Sequence, residues 1–267
     1  MAAESKKSDD VKPTTKEIVV SEEIFDVIVV GAGAAGIGVT IALGHAGIEN
    51  CLVLERNTIG SSFASWPAET RFITPSFPSN SIGMLDLNSI GIGISPAFSM
   101  SVEHPTGEQY ALHLQGIAEY FELPIREMTE VKLITKVGEV FHINTGGETL
   151  QAKHIIWAAG EFQYPRQDGF VGSELCRHTA TIPSYQELDG DDFLIIGAYE
   201  SGVDAAYHLS KRGKKVRIFE RGSPWEEASS DPSVALSTYS LERIHEKTFE
   251  QNVELFSQTS VDLVTRV

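Results

Sequence analysis

The chain has 267 residues, 42% of them hydrophobic, with a formal net charge of −16 and a pI near 4.9. That length allows two domains of ordinary size, each with its own core. The acidity argues against nucleic acid or an anionic membrane as main partner, since both recruit basic patches, and no apolar run reaches the roughly 18 residues of a membrane span. The two cysteines, Cys51 and Cys176, lie far apart and form no C-x-x-C pair. Neither a local redox dithiol nor a cysteine metal cluster is therefore expected, and this usage suits a reducing, cytoplasmic setting. Residues 1–22 are rich in Lys, Glu, Ser and Asp and lack an apolar core. They read as a disordered tail, not as a secretory signal or transit peptide.

The first element is a continuous apolar run, Val27 to Val30, which reads as a strand buried on both faces. Gly31, Gly33 and Gly36 follow as G-x-G-x-x-G, where the strand gives way to a helix of about Ala34 to Ala46 ended by Gly47. Gly31 allows a tight turn, Gly33 lets a pyrophosphate approach the backbone, and Gly36 lets helix and strand pack closely. The helix start offers unpaired N–H groups and a positive dipole end. A second strand, Cys51 to Glu55, ends in a carboxylate placed to accept from a ribose hydroxyl. Strand, glycine loop, helix, strand and terminal acid in this order read as dinucleotide binding.

Arg56 to about Pro105 is long and irregular, with Phe63, Trp66, Phe72, Ile73, Phe77, Met84 and Phe98 along it. These side chains either line a flat ligand or fill core. The Gly60–Pro67 piece, directly after the acid-ending strand, is the first candidate for contact with the rest of a cofactor. A helix is expected from Thr106-Gly-Glu-Gln109 to about Glu122, then a strand after Leu123-Pro-Ile125. Val131–Lys136, Glu139–Asn144 and Thr149–Ala152 read as a three-stranded meander turning at Gly138 and Gly146-Gly147, with a separate strand returning at His154–Gly160.

Pro165 to Asp191 reads as a connector holding the domain boundary. Then the first pattern repeats. A buried strand ends at Gly197, a helix runs from Val203 to about Lys211, and a strand Lys215–Glu220 again ends in an acid. Gly31 and Glu55 stand 24 positions apart, and Gly197 and Glu220 23. This internal repeat points to a protein that handles two dinucleotides. In the second copy Gly197 and Gly202 hold the first and third glycine positions, but Tyr199 holds the middle one, where a side chain crowds a pyrophosphate. A helix near Ser240–Phe249 and strands at Val253–Phe256 and Val261–Val267 complete the reading. The fold class is α/β: two Rossmann-like, doubly wound, mostly parallel three-layer domains, residues 23–165 and 166–267, with a small antiparallel meander in the first.

From about Ile24 to Gly222 these residues resemble the flavoprotein superfamily with two dinucleotide-binding domains. Flavin-containing monooxygenases and the related small FAD/NAD(P)H oxidoreductases are nearest. The resemblance implies FAD on the first domain, held by Gly31, Gly33, Ala34, Ala35, Gly36, Glu55, Arg56, Ser62, Trp66 and Val131. The turn after Ile155-Ile-Trp-Ala-Ala-Gly160 adds Ala159 and Gly160. It implies NAD(P)H on the second, at Gly197-x-x-x-Ser-Gly-x-Asp204, held by Gly197, Tyr199, Glu200, Ser201, Gly202, Glu220 and Arg221. Hydride passes to flavin N5, with Trp66, Tyr199 and Glu200 nearest the junction, and the flavin carries the chemistry without a named acid, base or nucleophile. A small-molecule substrate follows, by monooxygenation or plain reduction, and a homodimer stays open. Glu220 favours NADH; Arg221, with Arg212, Lys214 and Lys215, favours NADPH.

The sequence departs from these families in three places. The F-x-G-x-x-x-H pattern of the monooxygenases is degenerate, since His178 stands two residues too far from Phe170-x-Gly172. The C-x-x-C of the disulfide-reductase branch is missing. No third motif returns to complete the FAD domain before Val267, so the chain is expected to be a fragment, to hold its flavin loosely or to have lost activity; it stops within the second domain, which is expected to be incomplete. The competing reading is a nucleotide-binding module without catalysis.

Overall fold

A computed structural model of the chain describes residues 19–77, 86–161, 164–231 and 233–266. The first sheet has six strands in the order β3-β2-β1-β6-β5-β4. These are β1 (Val19–Val30), β2 (Cys51–Leu54), β3 (Ile125–Arg126), β4 (Leu133–Val137), β5 (Val140–Asn144) and β6 (Glu148–Trp157). β3, β2, β1 and β6 pair in parallel; β6, β5 and β4 pair antiparallel. Strand periodicity splits the apolar run between two cores. Ile28, Val30, Leu52 and Leu54 face the meander's Ile143 and Leu150. Val27, Val29, Cys51 and Val53 face the helix side, where α1 (Ala34–His45) adds Val39 and Leu43. The helix α4 (Gly107–Tyr120) packs its Tyr110, Leu114 and Ile117 against Ile37 and Ile41 of α1. Its start is the expected one: Thr106 and Gln109 form a reciprocal capping box. Helices, parallel sheet and folded-over meander make three layers.

Two expectations change here. β1 begins at Val19 and pairs Val19 and Val20 with Glu148 and Thr149, so residues 19–22 are strand, not tail; residues 1–18 lie outside the described residues. The third meander strand and the returning strand are one element, β6. No Gly or Pro interrupts 148–157. Its first half serves β5 while its whole length serves β1. Among its described residues the irregular segment holds short helices, α2 (Ser61–Ala64) and α3 (Pro96–Met100), and Met84 falls outside the described residues.

The second sheet is parallel, ordered β7-β8-β9, from β7 (Asp192–Ile196), β8 (Lys215–Phe219) and β9 (Val253–Phe256). α5 (Glu200–Lys211), α6 (Thr238–Ile244) and α7 (Lys247–Asn252) cover one face around Val203, Leu209, Ile218 and Phe249. Among the described residues nothing covers the other face, where Leu194, Ile196 and Phe256 are exposed. α5 begins at Glu200, three residues before the expected start, and the single expected helix near 240–249 is two. Among the described residues the strand expected at 261–267 is reduced to one bridge, Leu263 to Val171. The Val264 N–H donates to the Val171 carbonyl (2.9 Å).

Candidate functional site: two glycine loops on one template

The two glycine loops are built on one hydrogen-bond pattern. In the first, the Gly31 N–H donates to the Leu54 carbonyl (2.8 Å) and the Ala32 N–H to Glu55 Oε2 (2.8 Å), while Glu55 Oε1 accepts from the Asn57 N–H (2.8 Å). In the second, Gly197 N–H donates to Phe219 (2.9 Å) and Ala198 N–H to Glu220 Oε2 (2.8 Å), while Glu220 Oε1 accepts from the Gly222 N–H (3.0 Å). Each acid is thus turned toward its loop and held by two backbone amides. A carboxylate has about four acceptor positions, which leaves capacity for a ribose hydroxyl. Burial works to raise the Glu220 carboxyl, but the N–H bonds from Ala198 and Gly222 outweigh it and hold it below the ordinary value.

The glycines divide into those the fold requires and one it does not. Gly31 (φ +105°) and Gly197 (φ +96°) sit in the left-handed region. A Cβ on Gly36 would stand 1.9 Å from the Gly31 carbonyl oxygen, and one on Gly202 1.9 Å from that of Gly197. Gly33 has neither constraint: its φ is −86° and an added Cβ would meet nothing within 4 Å. Tyr199 has the same backbone, φ −83° and ψ −172° against −86° and −170°. So the second copy replaces the one glycine that the backbone can spare. The Tyr199 hydroxyl donates to the Ala235 carbonyl (2.9 Å), which ties the ring to the segment before α6.

Around the first loop the structure gathers most of the expected contacts. α1 starts at Ala34 with no side-chain cap and no acid in its first turn, leaving the N–H groups of Ala34, Ala35 and Gly36 to an external acceptor. Gly60 donates to the Ala32 carbonyl (3.0 Å), which seats α2 and its exposed Ser62 beside the loop. The turn after β6 arrives from the other side: the Ala158 carbonyl and the Ala159 Cα lie 2.4 and 3.0 Å from where a Gly31 Cβ would be, and Gly160 follows at φ +79°. Thr129 N–H bonds the Glu55 carbonyl (2.7 Å), bringing 129–131 alongside Glu55 and the exposed Arg56. Val131 itself is half-buried, its side chain packed against the sheet–meander core. Trp66 belongs to a ring cluster with Phe63 and Phe72 (centroids 5.3 and 5.1 Å) that packs on Tyr110.

The second loop is more committed to its own surroundings. Glu200, in the first turn of α5, accepts from Ser237 N–H (2.6 Å) and from the Ser237 and Ser240 hydroxyls, so it caps α6. Ser201 is exposed on that first turn. Asp204 is buried against Arg243 and does not serve the loop. Arg221 is exposed beside Glu220. The other cations proposed for a 2′-phosphate are at the wrong end: Lys214 and Lys215 stand where β8 begins, roughly 16 Å of strand from Glu220. Lys214 pairs with Asp191 (2.7 Å), and Arg212 bonds the Tyr185 carbonyl (2.7 Å). His178 caps a 3-10 turn through the Ala180 N–H (3.1 Å). Cys51 is buried, its thiol pushed up by that burial, and Cys176 is exposed.

The family model described as pyridine nucleotide-disulphide oxidoreductase matches residues 28–267. The chain belongs to this family. An oxidoreductase of Geobacillus kaustophilus, described as CzcO-like and uncharacterized, is 29% identical over 197 residues, 71% of this chain and 53% of its own. The bacillithiol disulfide reductase Bdr (YpdA) of Bacillus cereus has a similar fold, with a TM-score of 0.69 at 23% identity over 91% of this chain and 70% of the other. So has OTEMO, solved in complex with FAD and NADP: TM-score 0.57, 17% identity, 75% of this chain and 40% of that one. The chain spans about half the length of the curated relatives it matches. No helix among the described residues is long and apolar enough to cross a membrane.

Proposed function

We propose that the chain is an FAD-dependent oxidoreductase module: FAD on the first glycine loop, NAD(P)H on the second, and a small molecule as final acceptor, through monooxygenation or plain reduction. Residues 23–165 and 166–267 are the two binding domains of this reading. The observation that carries it is Gly33. The fold does not need a glycine there, the repeated loop has lost its own, and the position is the one where a side chain would exclude two linked phosphates. The uncapped α1 N-terminus supplies donors and a positive dipole end to those phosphates, and Glu55 fixes the adjoining sugar. When bound, the cofactors supply the redox step, in which NAD(P)H gives up a hydride and the flavin is reduced. The protein binds, orients and screens.

A second reading, a nucleotide-binding module without turnover, draws on Tyr199 and Glu200, which put a ring and a carboxylate at the second loop. One experiment separates the two. Protein purified with added FAD should be yellow, absorbing near ~450 nm, and should bleach anaerobically with NADH or NADPH. Yellow protein that neither nucleotide bleaches supports the second reading, and colourless protein sinks the first.

A further inference from the structure

Residues 68–72 of the first unit are bonded on one side to Pro105 and Thr106 and on the other to the 183–186 turn and to α5 of the second unit. On the near side, Phe72 N–H bonds the Pro105 carbonyl (3.0 Å), Arg71 bridges to Thr106, and the Phe72 ring packs among Phe63, Trp66 and Tyr110. α2 begins at Gly60, which is bonded to the first loop through Ala32. On the far side, Glu69 Oε1 accepts from Ser184 Oγ (2.5 Å) and Gln186 N–H (3.1 Å), and Oε2 accepts from Tyr185 N–H (3.0 Å). Thr70 Oγ1 donates to Asp204 Oδ2 (2.7 Å). Asp204 lies on α5, the helix that opens at the second loop. The Ser184–Gln186 turn grips the same helix: the Tyr185 ring lies parallel to His208 (5.8 Å, 10°), and Ile182, Tyr185 and Ala205 share a core.

The chemistry of the grip is costly enough to need a reason. Asp204 is buried with Arg243 Nη1 at 2.5 Å, and His208 Nε2 stands 3.3 Å away without hydrogen-bond alignment. A buried ion pair is weak evidence for stability, because desolvation consumes most of the attraction. What such a pair can do is fix one arrangement. Arg243 holds one oxygen of Asp204 in place, and the other is presented to Thr70. Burial works to raise the Glu69 carboxyl, but its hydrogen bonds from Ser184, Tyr185 and Gln186 outweigh it and hold it below the ordinary value.

We propose that Glu69 and Thr70 are positioning residues: they clamp α5 to the first unit and so set the separation of the two glycine loops. This rests on the function proposed above, since hydride transfer between two bound dinucleotides tolerates little misplacement; about 1 Å can cost on the order of 100-fold in rate. Glu69 and Thr70 touch no cofactor in this scheme and act through the helix.

The test uses the full chain in two arms. In the first, spin labels at E49C and E254C, both exposed positions, in a C176S background report the distance between the units. The parent and T70S should give one narrow distance. E69A/T70V should broaden it or add a second population, with T70V alone between them. In the second arm, FAD-loaded E69A/T70V should keep its flavin content and bind NAD(P)H within about twofold of the parent, while the single-turnover rate of flavin reduction falls at least tenfold; T70S should keep the parental rate. An unchanged distance distribution in E69A/T70V overturns the clamp, whatever the rate does. A parent that takes up no flavin, or is not bleached by reduced nicotinamide, overturns the functional reading instead, and the distance arm still decides the clamp.

Discussion

Gly33→Val is the perturbation that best separates fold from ligand. Nothing lies within 4 Å of an added Cβ at residue 33, and its φ of −86° is open to any residue. Residue 33 is the N-cap of α1 without a side-chain bond, so a poor capping residue there costs about 0.5–1 kcal/mol. For a chain of this size that is roughly 1–4 °C in the melting temperature of the flavin-free protein. The ligand loses more. A hydrogen bond from a backbone N–H to a charged phosphate oxygen contributes about 1.5–3 kcal/mol. Displacing the pyrophosphate from two of them weakens flavin binding by roughly 3–6 kcal/mol, on the order of 10²- to 10⁴-fold. Gly36→Ala is the control with the opposite profile, because its Cβ would stand 1.9 Å from the Gly31 oxygen and must push the strand and helix apart. Melting of the flavin-free proteins, together with flavin content by absorbance, reads both effects. The reasoning is refuted if Gly33→Val retains parental flavin, or if it melts as early as Gly36→Ala.

Tyr199→Gly should tighten NAD(P)H binding by about tenfold in titration calorimetry, although it gives up the Ala235 hydrogen bond of about 1 kcal/mol; unchanged or weaker binding counts against a second pyrophosphate seat. Asp204→Asn should cost about 3–5 kcal/mol in urea unfolding, because Arg243 keeps a buried charge without its counter-ion. In acid, Glu69, Glu220 and Asp204 act together. Burial works to raise all three, yet their hydrogen bonds and cationic neighbours hold them below the ordinary carboxyl range. The unfolded chain therefore binds protons first, and the stability these groups contribute above about pH 4–4.5 is lost as pH falls through their folded values. Denaturant midpoints measured from pH 6 to pH 3 should decline, and E69A should decline less steeply. A flat profile would remove these carboxylates from the account.

What the sequence makes legible is whatever repeats with a short period or sits in a local motif. The apolar run 27–30, the loop glycines, the acid-ending strands and the Thr106–Gln109 cap all depend on neighbours within a few residues, and each stands where expected. The unity of β6 is not legible in residues 148–157, because its two pairing partners differ in direction, which is a property of tertiary structure. The packing of Trp66 on Phe72 is not legible either, since an aromatic after a glycine loop looks the same in sequence whatever its ring meets. The basic residues at 212–215 looked close to Glu220 in sequence, yet an extended strand carries them to its far end. Glu69 and Thr70 had no local signal: their partners lie 115 and 134 positions away.

The differences between the two loops follow a direction that suits the proposed assignment. A helix start carries about half a positive elementary charge, available to an anion only where no side chain claims it. In α1 no acid or cap competes for it. In α5 the Glu200 carboxylate stands in the first turn, bonded to Ser237 and Ser240 at the start of α6, and the Tyr199 side chain stands at the middle position. Both features lower the attraction for a pyrophosphate without changing the backbone that forms the seat. The first loop therefore suits a cofactor retained through many turnovers, and the second a nucleotide that must leave after each one. A flavin that stays through gel filtration while nicotinamide nucleotide washes out would follow from this ordering. A tightly retained nicotinamide with freely exchanging FAD would reverse the assignment of the two sites.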